Sequence, residues 1–210
     1  MKKLKILFED KYLIAVYKKS GLPTIKDKKH VNNLYSEVYD YLHKKNERVF
    51  IVNRLDADTS GIVLFAKNER VRNNLQVNWD AVIREYVSVV HGKVNDKGII
   101  KSYLKETKSL ITYSTNDRKN GKYAETSYER ICSNDKYSLI KINIKTGRKN
   151  QIRVHMKDNK TPILGDKKYG IKDKFKEMYL LANRLFFVHP ITRKRIDIKL
   201  DIPKNCRDLI

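Results

Sequence analysis

Asn53-Arg54-Leu55-Asp56-Ala57-Asp58-Thr59-Ser60-Gly61 runs directly into Ile62-Val63-Leu64-Phe65-Ala66. A short unbroken apolar run after a glycine reads as an interior strand, covered on both faces. The dense polar segment before it reads as a loop held at the lip of a sheet, where a rigid scaffold can present a reactive side chain. Asp58, Thr59 and Ser60 read as ordinary turn residues whose side chains satisfy backbone donors, and Gly61 supplies a permissive backbone angle.

Working outward, Phe8 to Tyr17 reads as strand–turn–strand, with Glu9-Asp10-Lys11 at the turn and Leu13 to Val16 as a buried strand. Val31, Leu34, Tyr35, Val38 and Leu42 recur at helical spacing and predict an amphipathic helix on the sheet. A polar helical stretch follows Ala66 to about Asn78. Beyond it the chain is mostly strand-like: Tyr86 to Val90 ending at His91-Gly92, then Thr126 to Ile131, Leu139 to Ile144 and Arg195 to Leu200, with a short helix over 151–157. Strands with a few helices and no regular βα alternation predict an α+β fold. No linker, repeat or low-complexity segment divides the 210 residues, so residues 1–210 are expected to form one domain of two lobes.

Composition narrows the partners. Forty-six Lys and Arg against 24 Asp and Glu leave a formal charge of +22. Such a field favours polyanions, because each neutralised phosphate releases a condensed counterion. A lysine-rich compositional bias that merely solvates the surface accounts for the same number, so charge names a partner class and not a reaction. An apolar content of 40% suffices for a packed core. Cys132 and Cys206 lie far apart and form no ligand spacing, which excludes a disulfide scaffold and fits a reducing compartment. The start carries no signal peptide, and no apolar run approaches the roughly 20 residues that span a bilayer. The expectation is a cytoplasmic, monomeric enzyme away from membranes, with no metal, nucleotide or other cofactor.

Arg54-Leu55-Asp56-x-x-Thr59-Ser60-Gly61 resembles the signature loop of the RluA family of pseudouridine synthases, whose aspartate is the essential catalytic residue. Further segments agree in order. Lys18-Lys19-Ser20-Gly21 resembles the family's Lys-Pro-x-Gly, with Lys19 at the usual proline. Arg84-Glu85-Tyr86 with His91-Gly92 resembles its Lys-x-Tyr strand. Gly147-Arg148-Lys149-Asn150-Gln151-Ile152-Arg153-Val154-His155 resembles its Gly-Arg-x-His-Gln-Ile-Arg-x-His. Gly165-Asp166 with Tyr169-Gly170 and His189-Pro190 complete the match, from about Leu7 to Pro203. Asn53, Asn150 and Leu181 stand where the family commonly has histidine and read as supporting or RNA-contact positions.

The resemblance implies a pseudouridine-synthase-like sheet, mixed, largely antiparallel and bent, flanked by helices around a central cleft. It leaves no room for a separate N-terminal S4 module. It implies isomerisation of uridines in ribosomal or transfer RNA, with ribosomal RNA favoured. Asp56 is then the catalytic carboxylate, Arg153 its charge partner, and Tyr86 the active-site tyrosine against the uracil. Arg54 helps hold the flipped base, Ile152 walls the uracil pocket, and Arg148 and Gln151 belong to the substrate-binding set. Each has a plainer alternative: a phosphate contact for Arg54 and Arg153, core packing for Tyr86. Two rival readings are a non-catalytic RNA-binding protein of the same fold and a basic DNA-binding or ribosome-associated protein. The first has no use for a carboxylate beside a phosphate path, and the second calls for a recognition helix or basic tail that the sequence lacks.

Overall fold

The computed structural model describes residues 4–26 and 30–210. In chain order the elements are β1 (Ile6–Glu9), β2 (Leu13–Lys18), α1 (Leu34–His43), β3 (Phe50–Ile51), β4 (Ser60–Ala66), α2 (Glu69–Val77), β5 (Ile83–His91), β6 (Lys97–Glu106), β7 (Thr112–Thr115), β8 (Lys122–Ser133), β9 (Tyr137–Ile144), α3 (Gln151–Asp158), β10 (Leu180–Val188), β11 (Arg195–Lys199) and α4 (Lys204–Arg207). The class is α+β, with antiparallel pairing dominant. The chain divides into two compact units: residues up to Ile83 with Ala182–Leu200, and Arg84–Leu181 with Asp201–Ile210.

In the first unit the strand order is β1-β2-β4-β10, with β3 also on β4 and β11 on β10. Asp10 closes the β1–β2 hairpin because its Oδ1 accepts from the backbone N–H groups of Tyr12 and Leu13, both at 2.7 Å. β4 is the interior strand expected from its apolar run. Ile62, Leu64 and Ala66 enter a core with Leu13, Ala15, Val52, Val71, Leu75, Leu185, Phe187 and Ile198. Val63 and Phe65 alternate to the other face and are also fully buried. At roughly 1.5–3 kcal/mol for each large apolar side chain buried, this strand fixes its own register. Gly61 is required at its start. A Cβ there would lie 2.3 Å from the Ala182 carbonyl oxygen, and the backbone has φ +125°.

Helix α1 begins later than its apolar spacing predicts. Asn33 caps it, its side chain accepting from the Ser36 N–H at 3.0 Å, and Val31 lies outside the helix with 93% of its surface exposed. The capping bond, worth about 1 kcal/mol, sets the boundary against the apolar periodicity.

In the second unit the order is β5-β9-β8-β6-β7, antiparallel throughout. Val90, Tyr128, Ile140, Ile142, Ile152, Met156, Ile163 and Leu180 form its main core. Strands β6, β7 and β10 were not singled out by sequence. In β6 the apolar residues fall on both faces, with Ile99 64% exposed and Leu104 buried, so no alternation marks it. Among the described residues no helix is long and apolar enough to cross a membrane.

Candidate active site

Residues 52–59 join β3 to β4 in the first unit, and backbone groups on both sides of Asp56 are tied down. Thr24 Oγ1 donates to the Leu55 carbonyl at 2.8 Å and accepts the Leu55 N–H at 3.1 Å. The Ala57 carbonyl accepts from the Gly21 N–H at 3.0 Å. Ser20 Oγ donates to the Asp58 carbonyl at 2.8 Å. The Thr59 N–H returns to the Asp56 carbonyl at 3.1 Å, closing a turn. Leu55 is buried beneath, while Asp56 is half-buried and Arg54 exposed. Two stretches that resemble family motifs, 18–24 and 53–61, are thus one object: the first clamps the second. Asn53 also has a structural task, its Oδ1 accepting the Leu64 N–H at 2.8 Å.

The strongest clamp is Lys18, the last residue of β2, opposite Gly61 in the β2–β4 register. It is wholly buried, and its ammonium donates to the carbonyls of Leu22 (2.6 Å), Ala57 (2.7 Å) and Lys19 (3.1 Å). Three donors meet three acceptors. Burial pushes its pKa down to about 8, while the carboxylates of Asp56 and Asp58 pull the other way and help keep the proton on. The cation that sequence reading left unassigned is therefore a fixed positive charge in the unit that carries Asp56.

In the second unit α3 carries the other sequence-predicted residues. Asn150 opens it in a left-handed conformation, φ 54°, which asparagine tolerates better than most residues. Its Oδ1 accepts from Arg153 Nη1 at 3.2 Å and its Nδ2 donates to the Tyr169 hydroxyl at 3.2 Å. Arg153 is buried, and its fork grips Asp166 through Nε (2.8 Å) and Nη2 (2.7 Å), with the guanidinium 5.1 Å from the centre of the Tyr169 ring. Burial alone would raise the Asp166 pKa, but Arg153, with the N–H groups of Tyr169 and Lys168, holds it below the usual carboxylate range. The motifs around Arg153 and around Asp166 to Tyr169 thus meet in one bidentate pair. Sequence reading assigned Arg153 to Asp56, with a phosphate contact as the alternative. The geometry adds Asp166 as a bidentate partner, a role the sequence gave no means to foresee.

Tyr86, half-buried on β5 opposite Ile142, packs against the cluster that holds Ile152, so the residues expected at the uracil share one apolar surface. Arg148 is exposed and donates from Nε to the Tyr123 carbonyl at 3.0 Å. Gln151 is buried and fully occupied. Its oxygen accepts from Thr146 Oγ1 (2.7 Å) and the Arg148 N–H (3.0 Å), while its nitrogen donates to the Glu125 carbonyl (3.0 Å) and Thr126 Oγ1 (2.9 Å). With every amide valence used, its geometry suits holding Arg148 and the start of α3 in place. His155 is wholly buried between Thr126 Oγ1 (2.8 Å) and Ser102 Oγ (2.9 Å), and burial pushes its pKa down to about 4. Arg54 and Asp56 belong to the first unit; Tyr86, Arg148, Gln151, Ile152 and Arg153 belong to the second.

A family model described as RNA pseudouridylate synthase matches residues 12–158. The chain is 36% identical over 205 residues to an uncharacterised RNA pseudouridine synthase of Mycoplasma genitalium, covering 93% of this chain and 65% of the relative. It is 34% identical over 206 residues to the ribosomal large subunit pseudouridine synthase C of Rickettsia typhi, covering 94% and 68%. It is 31% identical over 233 residues to the tRNA pseudouridine synthase C of Pasteurella multocida, covering 99% and 95%. The chain therefore spans about two thirds of the length of the first two. Among solved structures, human RNA Pseudouridylate Synthase Domain Containing 4 superposes with a TM-score of 0.79 at 21% identity, over 97% of this chain and 90% of that one, a likeness of fold.

Proposed function

Because this chain belongs to the RNA pseudouridylate synthase family, we propose that it isomerises a uridine in ribosomal or transfer RNA to pseudouridine, with Asp56 as the catalytic carboxylate. The reaction breaks the N1–C1′ bond, turns the uracil, and joins C5 to C1′; the C5 proton is lost and N1 regains one. A carboxylate serves either by attacking C1′ or by removing the 2′ proton, and both routes need it ionised and immobile. The observation that carries the reading is the clamped loop. Its backbone is tied at Leu55, Ala57 and Asp58, on both sides of Asp56. Such a carboxylate is preorganised, with little reorganisation left for the reaction itself.

Two fixed cations support an ionised Asp56. Lys18 acts from the same unit, and its attraction to the carboxylate is mutual. Arg153 is the partner expected from the family, held rigid by Asp166 and Asn150. Tyr86, half-buried and packed on the cluster that holds Ile152, offers a ring on which a flipped uracil stacks, repaying part of the few kcal/mol that leaving the helix costs. Arg54, exposed on the loop, would hold the vacated RNA, and Arg148, positioned by Gln151, would meet the backbone. The names of the Rickettsia and Pasteurella relatives support ribosomal and transfer RNA as the substrate classes.

The test is to incubate wild type and Asp56→Asn with RNA from cells lacking pseudouridine and to map the product. Product from wild type alone, without added metal or nucleotide, is expected. The non-catalytic reading expects retained RNA affinity and no product from either protein.

A further inference from the structure

A cleft of about 580 Å³ opens on the β6–β7–β8 part of the second unit, lined by Lys101, Ser102, Tyr103, Thr115, Arg118 and Tyr123, with Ser114 and Asn116 between them. Two aromatic rings and two cations face a space of ligand size, and none of the residues given catalytic roles above lines it.

The cleft is built and not incidental. Tyr103 on β6 is the register partner of both Tyr123 on β8 and Thr115 on β7, so the three share one cross-strand row. The two rings meet edge to face at 5.8 Å and 63°. Arg118, on the β7–β8 turn, lies over the Tyr103 ring at 5.9 Å and pairs with no carboxylate among the described residues. That turn is held by Asp117, whose Oδ1 accepts the N–H groups of Lys119 and Asn120, both at 3.1 Å. Gly121 keeps the wall close, since a Cβ there would lie 2.6 Å from Tyr103 Cβ. On the opposite side Ser102 and Ser114 are anchored, Ser102 to His155 (2.9 Å) and Ser114 to Asp158 (2.5 Å).

Carboxylates do approach. Glu125 takes the Tyr123 hydroxyl at 2.5 Å and lies 4.0 Å from Lys101, and Asp117 lies 3.8 Å from Lys105. These exposed pairs are weak and yield readily to a phosphate. Arg118 needs no exchange of partner. The cleft is also continuous with the proposed RNA contacts, because the Tyr123 carbonyl accepts from Arg148 Nε at 3.0 Å.

We infer that this cleft is a second RNA subsite, taking one unpaired nucleotide that flanks the target uridine, with its base against Tyr123 and Tyr103 and its phosphate on Arg118 and Lys101. Stacking on aromatic rings beside cations is how single strands are held without reading sequence. A folded duplex cannot offer a free base face, so the subsite selects targets with an unpaired neighbour. The inference rests on the proposed RNA substrate and adds to it where specificity is drawn.

The probe is fluorescein-labelled octauridylate, with binding followed by anisotropy at fixed salt. Truncating one stacking ring should weaken binding by roughly 5- to 150-fold. Tyr123→Ala and Arg118→Ala, each checked for unchanged thermal melting, are expected to lose affinity in that range when combined. Tyr123→Phe, which keeps the ring, should retain it. Lys199→Ala, an exposed lysine in the other unit, supplies the scale for loss of one diffuse charge. If the combined variant loses no more than Lys199→Ala, or if Tyr123→Phe loses as much as Tyr123→Ala, the subsite is refuted. Product mapping with cellular RNA separates this from the functional reading. Wild type that forms pseudouridine while the combined variant binds and modifies normally overturns the subsite alone; wild type that forms none overturns the enzyme.

Discussion

Replacing Lys18 by methionine isolates a wholly buried charge beside the catalytic loop. The side chain is wholly buried, and its pKa lies at about 8 against an ordinary lysine value of 10.5. At 1.36 kcal/mol per pKa unit, that gap means the folded state bears a penalty of about 3 kcal/mol for keeping the charge at neutral pH. The sign follows from proton counting. Below pH 8 both states hold the proton and the penalty stands in full. Between pH 8 and 10.5 the unfolded chain binds more protons than the folded one, so the contribution of Lys18 to stability rises with pH. Above 10.5 neither state is charged and the penalty is gone.

Methionine removes the titration and also removes a donor from the carbonyls of Lys19 and Leu22; that of Ala57 keeps the Gly21 N–H. A fully buried carbonyl left alone costs about 1–3 kcal/mol; with Leu22 half-buried and Lys19 exposed, water offsets part of that cost. Urea unfolding of wild type and Lys18→Met at pH 7 and pH 10 gives four free energies. Their difference of differences cancels every other titrating group. Wild type should gain about 2–3 kcal/mol on Lys18→Met between the two pH values. A difference that stays constant within about 0.5 kcal/mol would refute the buried, strained ammonium. Activity should move the opposite way. A neutral amine has two hydrogens for three carbonyls, so the loop loosens and wild-type turnover should fall above pH about 8 while stability rises.

Gly61→Ala should abolish folding or cost about 3 kcal/mol or more, since the added carbon meets the Ala182 backbone at a φ that only glycine accepts freely; soluble yield and thermal melting report it. Asp166→Ala leaves the Arg153 guanidinium buried without its bidentate partner and should destabilise the protein by about 3–5 kcal/mol in denaturant melts. The Asp166 carboxyl, with its pKa lowered in the fold, should contribute its stability fully above pH 4 and lose it as pH falls further, a component missing from the acid unfolding of Asp166→Asn. His155, pushed down to about 4, stays neutral in the fold; its share of stability is complete above pH 6.5 and is lost towards pH 4, by about 3 kcal/mol, and His155→Gln should flatten that limb.

The parts of the fold that the sequence made legible are those where one physical pressure acts alone. β4 is apolar at every position after Gly61, β2 likewise from Leu13 to Val16, and both are interior strands. The start of α1 was misplaced because apolar spacing admitted Val31, whereas a single side-chain bond from Asn33 decided the boundary. β6 stayed hidden because its apolar residues fall on both faces, Ile99 on the exposed one and Leu104 on the buried one. Its Ser102 reaches a buried histidine while Tyr103 lines a cleft, and neither choice leaves a periodic mark.

The site divides by the same logic. Asp56 was legible as a residue type in a loop, but what immobilises it was not, because the clamp comes from a segment thirty and more residues earlier that the sequence marks only by its resemblance to a family motif. Lysine at the end of a buried strand was the available signal, since an ammonium there must find three carbonyls or leave the core. Asn53 and Asn150 sharpen the point. Where relatives of the family carry histidine, each asparagine satisfies a backbone or guanidinium group with its amide oxygen: the Leu64 N–H in one case, Arg153 in the other. An imidazole nitrogen could accept the same bond, but neither asparagine can titrate near neutral pH. A reaction that needed a proton carrier at those positions would be disabled by both substitutions. A reaction needing only a rigid, ionised carboxylate loses nothing, and restoring histidine at 53 or 150 should therefore leave the pH profile of turnover unchanged while shifting only the melting temperature.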